Sequence, residues 1–222
     1  MFPMGWFMHF CVRGRNSRHF VNVLFGTVGI TYFFGWEVWQ VYAMTFTTWM
    51  LMRFLPRDKS QIYVTFFVFG FLSASQILIV IYRFGGYDLE ITTHTMLLTL
   101  RLQALGWSYY DGGRKREELT PRQKHYMVEQ LPSILEIWSF AIYFSQFTVG
   151  VFVEYRDFIC WIEEREEYKK VPNPVFQSLK YVVYAFVAIG LYLVGMMNFP
   201  VKNNWNVEWL EQQSIGYRIL YT

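Results

Sequence analysis

The sequence has few charged residues, and none between positions 61 and 82. Charged residues make up 17% of the chain, whereas a soluble globular domain has about 25%. Hydrophobic residues account for 54% and aromatic residues for 21%. The formal net charge of +3 is small, so the chain lacks the concentrated positive charge of a nucleic-acid-binding protein and no nucleic-acid partner is predicted. The composition favours a chain that lies in lipid.

Cysteine and soluble catalytic motifs are also scarce. Cys11 and Cys160 are the two cysteines, which excludes a disulfide framework and a cysteine-based metal site, and we interpret each as a small apolar packing residue. The sequence has no GxSxG, P-loop, HExxH or CxxC motif. We therefore predict no metal and no bound cofactor.

Long apolar stretches are what the sequence has in place of charge. A helix of 22 residues, such as 61–82, crosses a hydrocarbon core of about 30 Å. We predict an all-α polytopic transmembrane helix bundle, forming a single domain over residues 1–222, with about six spans at 20–36, 38–55, 61–82, 91–110, 131–150 and 175–199. Because Lys and Arg occur in most of the loops between these spans, charge bias does not decide the membrane orientation.

Short interfacial amphipathic helices are predicted in two polar connectors, 111–130 and 152–174. Thr120, Pro121 and Gln123 have the spacing of a helix start, which predicts a short helix from Pro121 to about Glu129. Apolar residues recur at helical spacing over 152–162, which predicts an amphipathic helix in the membrane plane. The charged stretch at 163–170 is predicted to be a solvated connector.

The N-terminal residues form an apolar stretch that is followed, not preceded, by basic residues. This order argues against a cleaved signal peptide. It is what the end of a longer spanning helix would leave, so we predict that the N-terminus is truncated. The basic residues are Arg13, Arg15 and Arg18.

Four ionisable residues interrupt the apolar stretches: His94, Arg101, Asp111 and Glu136. Each costs at least about 2.5 kcal/mol at membrane depth. Arg101 lies two helical turns from His94, so both lie on one face. Two interpretations stay open. This face lines a chamber filled with water or substrate, or the charges form a structural ion pair between helices, for example Arg101 with Glu136.

The sequence Asp111-Gly112-Gly113 closes the predicted fourth span. An acidic residue at a helix C-terminus is unfavourable for the helix dipole, so another interaction is expected there. One interpretation is a site for a ligand headgroup or phosphate, completed by the basic residues 114–116. The other is a plain turn. The candidate chamber residues are therefore His94, Arg101, Asp111, Gly112 and Glu136, and no residue is predicted to be catalytic.

Three blocks of sequence resemble one family: LLTLRL at 97–102, YYDGG at 109–113 and LPSILE at 131–136. They are similar to the membrane-bound O-acyltransferases, and within them to the lysophospholipid acyltransferases of the lysophosphatidylcholine type. The block FTVGVF at 147–152, followed by YRDF at 155–158, fits the Val-Gly-Pro stretch of that family, with Val151 in place of the proline. The resemblance extends loosely from Phe2 to Arg218.

The resemblance implies transfer of a fatty acyl group from acyl-CoA, as co-substrate, to the hydroxyl of a lysophospholipid. It also implies a multi-pass protein of the endoplasmic reticulum membrane. The catalytic histidine and asparagine of the family lie downstream of the third block, and none of His9, His19, His94 and His125 matches that histidine by position. We therefore predict that the chain is the N-terminal portion of such an enzyme and is inactive alone. A transporter and a non-catalytic membrane scaffold are the alternatives, and the oligomeric state stays open.

Overall fold

The computed structural model describes residues 2–82, 91–143, 152–165, 168 and 175–198. All regular elements among these residues are helical. The chain divides into two compact units, Met1–Lys169 and Lys170–Thr222, so the prediction of a single domain stays a prediction. The α-helices are α1 Phe2–Cys11, α2 Arg15–Phe34, α3 Trp39–Phe54, α4 Arg57–Tyr82, α5 Thr92–Asp111, α6 Pro121–Tyr126, α7 Ile134–Ala141, α8 Tyr155–Ile162 and α9 Val175–Asn198.

The chain reverses direction between α2 and α3. Gly35 has φ of 58°, in the left-handed region that favours glycine, and starts a 3-10 turn over Gly35–Val38. The hydroxyl groups of Thr27 and Tyr42 are hydrogen-bonded at 2.5 Å. In one continuous helix these two residues would lie about 22 Å apart. The first two predicted spans are therefore two antiparallel helices.

Three helical stretches in the described part of the chain are long and apolar enough to cross a membrane: Arg15–Phe54, Arg57–Tyr82 and Leu179–Met197. The first contains α2 and α3, and the third lies within α9. The all-helical membrane architecture is confirmed, but the count of about six spans is not. Helix α5, the predicted fourth span, has 20 residues and is less apolar than these stretches.

The prediction of one span over 131–150 is wrong for the residues that the structure describes. Helix α7 has only eight residues, about 12 Å, which is too short to cross the hydrocarbon core. It begins after Ser133, whose side chain caps the helix in a capping box with Glu136. It ends at Ala141, and residues 144–151, including Val151, lie outside the described residues.

Helices α4 and α5 pack against each other in antiparallel directions. Gly106 of α5 lies against Val64 of α4, where an added Cβ would be 3.2 Å from a valine methyl carbon. Helix α6 begins with the predicted capping box of Thr120 and Gln123. It ends before the predicted Glu129 because the Val128 amide instead donates to the Ser108 carbonyl of α5 at 2.8 Å.

Helix α8 begins at Tyr155, three residues later than predicted. Its apolar side packs inside the first unit, where Phe158 and Ile162 are buried. Cys160, also on α8, is buried as predicted, whereas Cys11 is exposed and the prediction of a packing role for it is wrong. The predicted location of α8 in the membrane plane stays a prediction.

Candidate functional site

Helix α7 lies beside α2 and runs in the same direction. At its start Glu136 contacts Arg15, further on Ser139 contacts Asn22, and just after its end Ile142 contacts Gly26. Gly26 is eleven residues into α2 from Arg15, a rise of about 16 Å. This is roughly half of a hydrocarbon core of about 30 Å. If α2 crosses the membrane from Arg15, α7 is a half-helix that enters beside it and ends near mid-depth.

The inner end of α7, residues 139–142, receives hydrogen bonds from two neighbouring helices. The side-chain amide of Asn22 donates to the Ser139 carbonyl at 2.7 Å and to its hydroxyl at 2.8 Å. The guanidinium of Arg101 on α5 donates to the Phe140 carbonyl and lies over the Phe140 ring at 4.3 Å. The last carbonyls of a helix have no partner within it, and the bilayer core has no water to supply one. Asn22 and Arg101 supply these missing donors.

Gly26 permits the close approach of α7 to α2. A Cβ atom added to Gly26 would collide with the backbone carbonyl oxygen of Ile142. Backbone cannot move aside as the end of a flexible side chain can, so any larger residue here would displace the inner end of α7. Small residues that allow backbones to approach are typical of helix contacts in membranes.

Arg101 interacts with a helix end and not with an acidic side chain. It is 2% exposed, and the C-terminus of a helix carries about half a negative charge. The predicted ion pair of Arg101 with Glu136 is wrong, because Glu136 lies at the other end of α7 and is paired with Arg15. The Nε–H of Arg101 has no hydrogen-bond acceptor among the residues that the structure describes.

The outer end of α7 belongs to a charge cluster formed by Arg15, His19, Glu136, Tyr155 and Glu163. Arg15 pairs with Glu136 and, through Nε at 2.5 Å, with Glu163. The imidazole of His19 is fully buried 3.9 Å from the Glu163 carboxylate. Tyr155 is hydrogen-bonded to Glu136, and burial, reinforced by that carboxylate, raises the pKa of the Tyr155 hydroxyl.

The prediction that 163–170 is a solvated connector is wrong at Glu163, whose side chain is 5% exposed. Its other carboxylate oxygen lies 2.5 Å from Arg165. The sequence signal for this contact was the basic group at 13–18 and the acidic group at 163–167, which have opposite charge but lie about 150 positions apart.

By spacing alone the charge cluster contains a possible metal-ligand set. Ligand atoms of His19, Glu136 and Glu163 all lie within 4.8 Å of one another. Arginine side chains already contact both carboxylates, however, and a cation would have to displace them. The arrangement is that of an ion-pair cluster that joins α2, α7 and α8. Beside it lies a cavity of about 320 Å³ lined by Gly14, Arg15, Arg18, Glu163, Glu164 and Arg165.

The Asp111-Gly112-Gly113 segment is held by Arg57. The guanidinium of Arg57 donates to three backbone carbonyls, those of Tyr109 at 2.6 Å, Val128 at 2.6 Å and Glu129 at 3.1 Å. A Cβ at Gly113 would lie 2.7 Å from the Arg57 Cδ.

These glycines therefore leave room for an arginine of the same chain. Asp111 accepts a hydrogen bond from the Gln123 side chain of α6 at 3.2 Å. This hydrogen bond is the interaction that was expected to offset the unfavourable position of an acidic side chain at the C-terminus of α5. The contacts described for this segment are with other groups of the protein, as expected for a plain turn.

The structure does not bring the five predicted chamber residues to one point. His94 and Arg101 are both buried along α5, whereas Asp111 and Gly112 lie at its end, about 25 Å from His94 along the helix. Glu136 belongs to the charge cluster. Sequence reasoning missed Asn22, Arg57 and Glu163, each of which contacts a residue 52 or more positions away.

The apolar helices and the buried polar groups between them define a helical membrane protein. The sequence profile described as "MBOAT, membrane-bound O-acyltransferase family" matches residues 76–221. The chain belongs to this family, as the resemblance predicted.

Three relatives illustrate the similarity. Membrane-bound glycerophospholipid O-acyltransferase 2 of Gallus gallus is 29% identical, over 97% of this chain and 46% of its own length. Lysophospholipid acyltransferase 5 of Bos taurus is 29% identical over 80% of this chain and 36% of its own. Lysophospholipid acyltransferase 6 of Drosophila melanogaster is 23% identical over 92% and 31%. The chain spans 31% to 46% of the length of these relatives.

Proposed function

We propose that this chain forms part of a lysophospholipid O-acyltransferase that uses acyl-CoA as its acyl donor. The observation that carries the proposal is the family match over residues 76–221. The names of the bovine and fly relatives supply the acceptor class, a lysophospholipid. The family match separates this proposal from the transporter and scaffold alternatives that the sequence left open.

The proposed reaction moves one acyl group. The free hydroxyl oxygen of the lysophospholipid attacks the thioester carbonyl of acyl-CoA, the bond from that carbonyl to sulfur breaks, and CoA leaves. A general base takes the hydroxyl proton during the attack. Exclusion of water from the chamber prevents hydrolysis of the thioester. We propose no residue of this chain as that base.

We propose that the residues of this chain form part of the wall of a substrate chamber. Arg101 on the buried face of α5 and the inner end of α7 place polar groups at mid-depth, and His94 is buried further along the same face. Such groups occur within membranes where backbone is enclosed by protein or lines a cavity. The roles of Asp111, Gly112 and Glu136 in the chamber stay predictions, since the contacts described for them are with protein groups.

We further propose the membrane of the endoplasmic reticulum as the location. The partners are then the lysophospholipid acceptor and the membrane lipids around the apolar helices. A multi-pass protein suits this role because its acceptor is itself a membrane lipid.

A chimera tests the proposed function. The segment of the Gallus gallus relative that matches this chain is replaced by residues of this chain, and transfer of oleoyl groups from oleoyl-CoA to lysophosphatidylcholine is measured in microsomes. We expect transfer above that of microsomes without the chimera. The 222-residue chain, assayed in parallel, reports whether these residues suffice.

The matched control exchanges the same segment for that of the Homo sapiens relative, which is 24% identical to this chain. A chimera with this chain that inserts in the membrane but transfers nothing to any lysophospholipid, while the human exchange is active, would contradict the proposal. If both chimeras are inactive, the exchange of this segment has damaged the enzyme whatever its source. The assay is then repeated with shorter exchanged segments.

A further inference from the structure

The ends of the helices in the first unit can be assigned to two sides. Because α2 and α3 are antiparallel, the start of α2 and the end of α3 lie together. Two contacts confirm this: Trp49 near the end of α3 donates to the Pro132 carbonyl at 3.1 Å, and Glu136, four residues later, pairs with Arg15 at the start of α2.

The start of α4 and the end of α5 lie on this same side. Two residues separate the end of α3 from the start of α4, and Arg57 in the first turn of α4 bonds to the Tyr109 carbonyl of α5. The connector after α5 stays here too, since Gln123 of α6 bonds to Asp111 and the Val128 carbonyl accepts from Arg57.

Both ends of α8 also lie on this side. Glu154, just before α8, pairs with Arg122 of α6 at 3.6 Å. Ile162, the last residue of α8, accepts a hydrogen bond from Arg18 of α2 at 3.1 Å. The chain thus returns to the side from which α7 entered. Six alternating spans would have placed the connectors at 111–130 and 152–174 on opposite sides.

Positive charge is confined to this side in the described part of residues 2–165. Arg101 lies at mid-depth, and the other thirteen basic residues form what we call the basic face: Arg13, Arg15, Arg18, Arg53, Arg57, Lys59, Arg114, Lys115, Arg116, Arg122, Lys124, Arg156 and Arg165.

On the opposite side, the turn between α2 and α3 carries exposed aromatic side chains and no basic residue. Around the turn between α2 and α3, Tyr32 is 84% exposed and Trp36 is 76% exposed. The Trp36 ring stacks on that of Trp39. Exposed Trp and Tyr at the end of a span are typical of a membrane–water interface.

We propose that the basic face is the cytosolic face of the protein and that its exposed side chains contact anionic lipid headgroups. Lys and Arg in short loops next to spans are retained on the cytoplasmic side, and the cytoplasmic leaflet carries the anionic lipids that attract them. The side chains available for this contact are exposed: Arg13, Arg53, Lys59, Lys115 and Lys124. This inference holds whether or not the proposed function is correct.

Cysteine labelling tests the orientation. In the 222-residue chain with Cys11→Ser and Cys160→Ala, single cysteines are introduced as Lys59→Cys on the basic face and Trp36→Cys on the opposite side. A membrane-impermeant maleimide is added to cells whose plasma membrane alone is permeabilised. We expect Lys59→Cys to be labelled there, and Trp36→Cys only after detergent opens the internal membranes.

Labelling of Trp36→Cys without detergent, with Lys59→Cys protected, overturns the orientation. Labelling of both without detergent overturns the assignment of the two sites to opposite sides. Lys115→Cys and Tyr32→Cys, which are also exposed, give a second pair if either variant fails to accumulate.

The lipid contact has its own test. The purified chain is placed in phosphatidylcholine nanodiscs with or without phosphatidylserine, and the midpoint of thermal unfolding is measured. We expect phosphatidylserine to raise the midpoint of the wild type, and high salt to remove the shift by screening. The shift should be lost when the five exposed basic residues are replaced by Gln. An equal shift in that variant, or no shift in the wild type, would overturn the contact with anionic lipid.

Discussion

The two ends of α7 are both held by arginine, but in different surroundings. At the outer end Arg15, which is half exposed, pairs with Glu136 and Glu163. At the inner end Arg101, which is buried, donates to a backbone carbonyl and lies over an aromatic ring. Arginine therefore interacts with carboxylates at one end of α7 and with the C-terminal carbonyls of the helix at the other.

The difference between the two ends shows how depth in the membrane changes the cost of losing a polar contact. At the outer end Arg15 is half exposed, so water can in part replace its lost ion pair with Glu136, and fully exposed pairs contribute only about 0–1 kcal/mol. At mid-depth no water replaces a lost donor, so an unsatisfied carbonyl carries its full desolvation cost. Substitutions at the inner end should consequently be more damaging than substitutions at the outer end.

Arg101→Leu should have the largest effect. It leaves the Phe140 carbonyl without its side-chain donor and removes the contact with the ring, and we expect a loss of about 3 kcal/mol of stability. Arg101→Lys keeps the charge but loses the planar group that reaches both carbonyl and ring, so its loss should be smaller. The thermal unfolding midpoint in detergent measures both. Wild-type stability of Arg101→Leu would show that the inner end does not need its cation.

The sequence predicted the features of the fold that depend on neighbouring residues. The capping box of Thr120 and Gln123 and the start of α9 near Val175 were both predicted from local sequence. The blocks around Arg101 and Glu136 also identified the family, because they are short and contiguous.

Features that depend on distant contacts were not predictable in the same way. The stretch after Ala141 stays apolar, and no proline or glycine marks the end of α7 before Gly150. Only contacts with α2 and α5, from residues 117 and 39 positions away, show that the helix stops there. Arg101 was singled out by its cost at membrane depth, but its partner is a backbone carbonyl, which no pattern of side chains reveals.

Gly26→Ala should have the next largest effect. The added Cβ collides with the Ile142 carbonyl oxygen, so α7 must shift, and we expect a loss of about 2 kcal/mol. Gly70→Ala is the matched control, because Gly70 also lies within a predicted span and its Cβ would have nothing within 4 Å. That control should be neutral or slightly stabilising. Equal effects of the two variants would show that the approach of α7 to α2 is not tight.

Arg57→Gln extends the comparison to a third arginine. Arg57 donates to backbone carbonyls as Arg101 does, but at the basic face, where water can replace it in part. We expect a loss of about 1.5 kcal/mol, less than for Arg101→Leu despite the larger number of hydrogen bonds. Hydrogen exchange should increase mainly at residues 109–129. An effect larger than that of Arg101→Leu would reverse the ranking by depth.

Glu136→Ala should have the smallest effect of the four on stability. It removes the capping-box acceptor of α7 and the ion pair with Arg15, for which we expect a loss of about 1 kcal/mol. Glu136→Gln keeps a capping-box acceptor and should recover part of that loss. Arg116→Ala, which removes an exposed pair with Glu129, controls for loss of a surface charge and should be near neutral.

In the chimera, Glu136→Ala should also lower acyl transfer, since a displaced α7 would move the inner end that Arg101 contacts. If the Glu136→Ala chimera is less stable but transfers acyl groups at the full rate, the outer end of α7 has no role in the chamber. The proposed chamber wall would then depend on Arg101.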